Sequence, residues 1–123
     1  MFQLLLVASG GAIGAICRFL IGNLFQLFFS SSIYGTLIVN IIGSFLIGYL
    51  ISLGYYKNLS EEIIKYFLII GFLGSFTTFS AFSYETLDLI VSRKIAMSFF
   101  YISISVFICI ISAYLGMSFN KFW

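Results

Sequence analysis

Hydrophobic positions fall into four long runs, at about residues 2–29, 33–56, 63–91 and 95–119, separated by short polar breaks. About 20 apolar residues of helix cross the hydrocarbon core of a bilayer, so the pattern predicts four transmembrane helices in one domain covering residues 1–123. The breaks are Ser30-Ser-Ser32, Lys57-Asn-Leu-Ser-Glu-Glu62 and Ser92-Arg-Lys94. Ser60 followed by two glutamates reads as a helix N-cap with acidic groups near the positive end of the dipole. The opening Met-Phe-Gln-Leu-Leu-Leu carries no basic leader, so the first run is expected to be retained as a span. Lys121 and Trp123 read as interfacial anchors.

The third run is the least lipid-like. Between Gly71 and Thr86 it holds two glycines, six serine or threonine residues (Ser75, Thr77, Thr78, Ser80, Ser83, Thr86) and the carboxylate of Glu85. An unpaired backbone group in hydrocarbon costs several kcal/mol, so polar, irregular chain is tolerated where it is buried in protein or lines a watery cavity. Thr77-Thr78, preceded by small residues, is the expected helix break. Freed carbonyls at such a break suit a monovalent cation, and the helix that follows offers its N-terminal end to an anion.

Other polar positions extend this picture. Gly10 and Gly14 form a G-x-x-x-G pair, suited to close helix packing or to a hinge. Asn40 lies deep in the second run, where an amide serves either as interhelical glue or as a substrate contact. Ser98, Tyr101, Ser105, Cys109 and Ser112 recur at helical spacing and share one face of the fourth helix, as a structural or a functional stripe. Phe79 and Phe82 also share a face, with Phe72 and Phe76 extending the line. Such a line is ordinarily packing, although the positive edges of the rings can also face an anion.

Composition narrows the function. At 62% hydrophobic and 8% charged, the chain falls far below the charge content of a soluble domain, about 25%. Histidine is absent, and Cys17 and Cys109 lack metal-ligand or redox spacing, so each reads as a packing residue. No nucleophile paired with a base and no phosphate-binding loop is present, which argues against an enzyme. A net charge of +2, spread along the chain, does not suggest a nucleic-acid partner. The uncharged donors can solvate an ion but cannot take up its proton. Arg18 is costly at the centre of a span and is expected to snorkel to a vestibule, with Glu85 as its partner or as a separate polar contact. With four spans, Lys57, Lys65 and Lys121 lie on one side; Arg93 and Lys94 lie on the other, with Arg18 nearer to them. That near balance gives weak topological instruction, and an antiparallel pair would supply the inverted repeat that one chain lacks.

Three stretches occur in register: Gly10-Gly-Ala-Ile-Gly-Ala-Ile-Cys-Arg18, Gly35-Thr-Leu-Ile-Val-Asn-Ile-Ile-Gly-Ser-Phe45 and Gly71-Phe-Leu-Gly-Ser-Phe-Thr-Thr-Phe-Ser-Ala-Phe-Ser-Tyr-Glu85. Together they resemble the Fluc (CrcB) family of microbial fluoride channels, over essentially the whole chain. The resemblance implies an all-α membrane protein of four transmembrane helices with a break in the third, paired as an antiparallel, dual-topology homodimer in the cytoplasmic (inner) membrane. It implies passive fluoride export that relieves toxicity, through two pores around a central structural sodium ion, with no protein partner beyond the second copy. By motif position, the backbone carbonyls of Gly74 and Thr77 from both subunits would hold the sodium. Asn40, Phe79, Ser80 and Phe82 would lie on the fluoride path, continued by Tyr101 and Ser105, while Arg18 and Glu85 match charged positions of the family pattern. Cys109 stands where a hydroxyl is expected. The alternatives are a proton-coupled exporter of lipophilic cations, similar to the small multidrug resistance family, and a non-transporting assembly subunit. The exporter would want a carboxylate in the first span, where none occurs.

Overall fold

A computed structural model describes residues 1–56 and 62–119, the side chains of residues 54–56 excepted. The expected Ser60 cap, the stretch from Lys57 to Glu61 and the anchors Lys121 and Trp123 lie outside the described residues. All described elements are helical: α1 (Phe2–Phe29), α2 (Ser32–Tyr56), α3, which is a π-helix over Ile63–Leu73 followed by one α-turn over Gly74–Phe76, α4 (Phe79–Val91) and α5 (Ile95–Phe119). Four stretches are long and apolar enough to cross a membrane: Phe2–Phe29, Ser32–Leu53, Ile63–Val91 and Ile95–Phe119. Most of their large apolar side chains point outward, as expected when the solvent is lipid rather than water.

Two close seams build the bundle. α2 packs along α5, where a Cβ on Gly48 would run into the Ala113 carbonyl and one on Gly116 into the Phe45 carbonyl. α1 packs along α3, with Gly10 against the Phe67 carbonyl and Gly14 against the Phe72 carbonyl. Hydrocarbon provides no hydrophobic drive between helices, so close backbone approach through small residues supplies the van der Waals contact. The Gly10/Gly14 pair therefore belongs to a packing face.

The turns are local. α1 ends on Ser30, whose left-handed conformation (φ 53°) lets its amide reach the Gln26 carbonyl at 2.9 Å. α4 ends with the Arg93 amide on the Ile90 carbonyl and the Lys94 amide on the Leu89 carbonyl. This is a Schellman pattern, with Arg93 at φ 59° in the position that usually takes glycine.

The Phe line divides into two. Phe72 and Phe76 stack at 5.5 Å, and Phe76 packs into a core cluster with Val39 and Leu73. Phe82 belongs to a second cluster with Leu89 and Tyr101. The chain between the clusters is extended, with Thr77 at φ −78°, ψ 156° and Thr78 at φ −149°, ψ 117°.

Candidate functional site

Thr77 and Thr78 are β-branched and suit extended backbone, but an extended pair between two helices leaves peptide groups without helical partners. Asn40 compensates. Its Oδ1 accepts from the Thr78 amide at 2.8 Å and its Nδ2 donates to the Thr78 carbonyl at 3.1 Å. One side-chain amide thus pairs both polar groups of one extended residue, as a neighbouring strand would. Thr78 then starts α4: its Oγ1 accepts from the Ala81 amide at 3.1 Å, an N-cap bond. Asn40 is therefore interhelical glue, with one of its two amide hydrogens uncommitted.

A cavity of about 430 Å³ opens beside this junction. It is lined by Asn40, Gly43, Ser44 and Ile47 of α2, by Ile69, Leu73 and Gly74 of α3, by Thr77 and Thr78, by Phe79 and Phe82 of α4, and by Ser105, Val106, Cys109 and Ile110 of α5. Among the described residues, none of these lining side chains is charged. The buried Ser105 Oγ makes no hydrogen bond of good geometry, unusual for a buried hydroxyl; it sits beside the Tyr101 hydroxyl, whose own hydrogen goes to Glu85. Phe79 is 77% exposed on the single chain, whereas Phe82 is buried between the Phe79 ring (5.4 Å) and the Tyr101 ring (5.2 Å).

Of the residues singled out in the sequence, Asn40, Gly74, Thr77, Phe79, Phe82 and Ser105 meet at this cavity. Ser80, Tyr101, Arg18 and Glu85 do not line it. Ser80 is exposed and bonded to the Thr78 hydroxyl at 3.1 Å. Arg18 is half-buried on α1. Glu85 is not its partner: Oε1 accepts from the Thr36 hydroxyl at 2.8 Å and Oε2 from the Tyr101 hydroxyl at 2.7 Å. All three residues are buried, so the carboxylate clasps α2, α4 and α5 together. The Tyr101 hydroxyl hydrogen is spent there.

Several hydroxyls of the polar third run bond to the backbone of their own helix. Thr77 donates to the Leu73 carbonyl, Ser83 to Phe79 and Thr86 to Phe82, each four residues back. The stripe on α5 also divides, with Ser98 donating to the Thr86 carbonyl and Ser112 to the Ile41 carbonyl. Ser105 and Cys109, between them, face the cavity. Sequence reasoning missed Thr36 and Ser44. The signal was available, because Thr36, Asn40 and Ser44 stand four apart on one face of α2. Among the described residues no group of three or more His, Cys, Asp or Glu could hold a metal ion.

The family model described as CrcB-like protein, Camphor Resistance (CrcB), matches residues 5–117. The chain belongs to the CrcB family. It is 47% identical over 117 residues to a Shewanella sediminis (strain HAW-EB3) protein named Fluoride-specific ion channel FluC, covering 94% of each chain. It is 45% identical over 125 residues to the protein of that name from Shewanella pealeana (strain ATCC 700345 / ANG-SQ1), covering 99% of this chain and all of the relative. With the protein of that name from Campylobacter jejuni subsp. jejuni serotype O:2 (strain ATCC 700819 / NCTC 11168), the identity is 49% over 114 residues, 92% of this chain and 93% of that one. Family and fold together make this CrcB protein a multi-pass membrane protein, not an enzyme.

Proposed function

We propose that this CrcB protein is a fluoride-specific channel, through which fluoride leaves a microbial cell passively across the cytoplasmic (inner) membrane, reducing its toxicity to the cell. Relatives that carry this name match it over nearly their full length. Within the chain, the observation that supports the reading most is a cavity without charged walls beside the Asn40–Thr78 junction, with the Ser105 hydroxyl, which makes no well-formed hydrogen bond, buried just behind its wall. The spare Asn40 amide hydrogen offers an anion a hydrogen bond that need not be broken elsewhere, and the positive ring edges of Phe79 and Phe82 add to it. Several weak contacts replace part of an ion's hydration shell without holding it so tightly that exit becomes slow. The walls also hold no carboxylate to carry a proton in exchange. Ser80 and Tyr101 act at one remove, through Thr78 and through Phe82 and Glu85. Arg18 raises the local anion concentration from a vestibule.

The reading includes an antiparallel homodimer with two pores. Phe79 and Gly74 are exposed on the single chain, and an inverted second copy would cover them. It also includes a structural sodium ion. In an unbroken α-helix the Thr78 amide would go to the Gly74 carbonyl and the Ala81 amide to the Thr77 carbonyl; here they go to the Asn40 and Thr78 side chains. The carbonyl oxygens thus released fit a hard monovalent cation, which when bound would hold two such breaks together electrostatically. No observation favours the cation exporter, because Glu85 is occupied by two hydroxyl donors.

Purified protein in liposomes loaded with fluoride and chloride tests the channel reading. Fluoride should leave without an imposed proton gradient while chloride stays behind. Absence of fluoride flux, or flux that requires a proton gradient, would overturn it.

A further inference from the structure

The buried glycines Gly10, Gly14, Gly48 and Gly116 each face a backbone carbonyl of a neighbouring helix. Gly43, also buried, faces a side chain: a Cβ there would fall on the Cγ2 methyl of Thr77, with the Phe76 ring at an ordinary 3.5 Å. That methyl belongs to the first extended residue of the break in the third span. Helix α2 therefore holds the two residues of the break by different means. Asn40 pairs the amide and the carbonyl of Thr78. Gly43, three residues later and so on the same side of the helix, leaves a notch that the Thr77 methyl fills.

The methyl is not free to turn away. Thr77 Oγ1 donates to the Leu73 carbonyl at 2.9 Å, and β-branching leaves few χ1 states. Rotation that withdrew the methyl from the notch would give up this hydrogen bond. We infer that Gly43 is a positioning residue for the break: by seating the Thr77 methyl it fixes the backbone of Thr77, and with it the carbonyl proposed as a sodium ligand. A side chain at position 43 pushes Thr77 out of place and moves that oxygen. The lock stands on packing alone; its effect on the cation rests on the sodium reading.

The test uses full-length protein in detergent and four chains: the native one, Gly43→Ala, Thr77→Ser and Gly43→Ala with Thr77→Ser. The serine keeps the hydroxyl and removes the one atom that the new Cβ would strike. Melting temperature is followed against sodium chloride, with choline chloride holding the ionic strength constant. Gly43→Ala should melt lowest. Its half-saturating sodium concentration should rise about tenfold, equivalent to about 1.4 kcal/mol and within the usual cost of overpacking. Thr77→Ser leaves the notch empty and should shift both readings the same way by less. The double variant should recover to the Thr77→Ser level, because the two substitutions are coupled through one contact.

Gly43→Ala that behaves as native overturns the lock, and so does a double variant as impaired as Gly43→Ala alone. A lowered melting temperature with an unchanged sodium midpoint overturns the positioning role and reduces Gly43 to packing. If Gly43→Ala yields no folded protein, recovery of folded double variant supports the lock and its failure to fold overturns it. A native melting temperature indifferent to sodium makes the sodium reading fail, while rescue by the serine still decides the lock.

Discussion

Helix α2 makes two junctions of opposite kind. Along α5 it is held by missing atoms, since Gly48 and Gly116 let each backbone come against the other's carbonyls. Against the Thr77–Thr78 stretch it is held by added ones, the two hydrogen bonds of Asn40. The first junction is steric and tolerates no growth; the second is polar and tolerates no loss of a partner. In lipid both are needed, because apolar burial alone does not distinguish one helix neighbour from another.

Substitutions separate the two kinds. Gly48→Ala should do the most damage: its Cβ falls on the Ala113 carbonyl, with the carbonyl carbon at 2.9 Å, and backbone cannot swing aside. Overpacking costs about 1–3 kcal/mol and sometimes more, and the expected result is loss of monodisperse protein on size-exclusion chromatography. Asn40→Ala leaves the Thr78 amide and carbonyl unpaired, at about 1–3 kcal/mol for each buried group. It should lower the melting temperature in detergent and abolish fluoride efflux. A full melting temperature would show that the extended stretch does not depend on the amide.

Glu85→Gln gives the Thr36 and Tyr101 hydroxyls one acceptor oxygen where they have two. A loss of about 1–2 kcal/mol is expected, with a drop in efflux smaller than that of Asn40→Ala, both read in the same assays. Ser105→Ala removes a buried hydroxyl that makes no well-formed hydrogen bond, so stability should fall by less than one hydrogen bond contributes, about 1 kcal/mol, while efflux falls. An unchanged efflux rate would remove Ser105 from the ion path.

The four apolar helices were legible because length and hydropathy suffice to mark them, and the three glycine-bearing stretches carried the family. Asn40 was visible as an anomaly, but its partner was not: the bond joins residues 38 apart, a pairing that no local pattern encodes. Glu85 illustrates the same limit. Charge suggested Arg18, whereas burial placed two hydroxyls against the carboxylate. Spacing put Ser98, Ser105 and Ser112 on one face, but only packing separates the two that bond to neighbouring carbonyls from the one that makes no well-formed hydrogen bond.

Ile63–Leu73 winds as a π-helix, its amides reaching five residues back where an α-helix reaches four. Each turn therefore holds more chain, and the bearing of everything after Leu73 is set by how many residues the coil contains. Excising a single residue would let the coil tighten and would rotate Thr77 and Thr78 off the Asn40 side. The segment acts as a ruler, for which chain length matters more than side-chain identity.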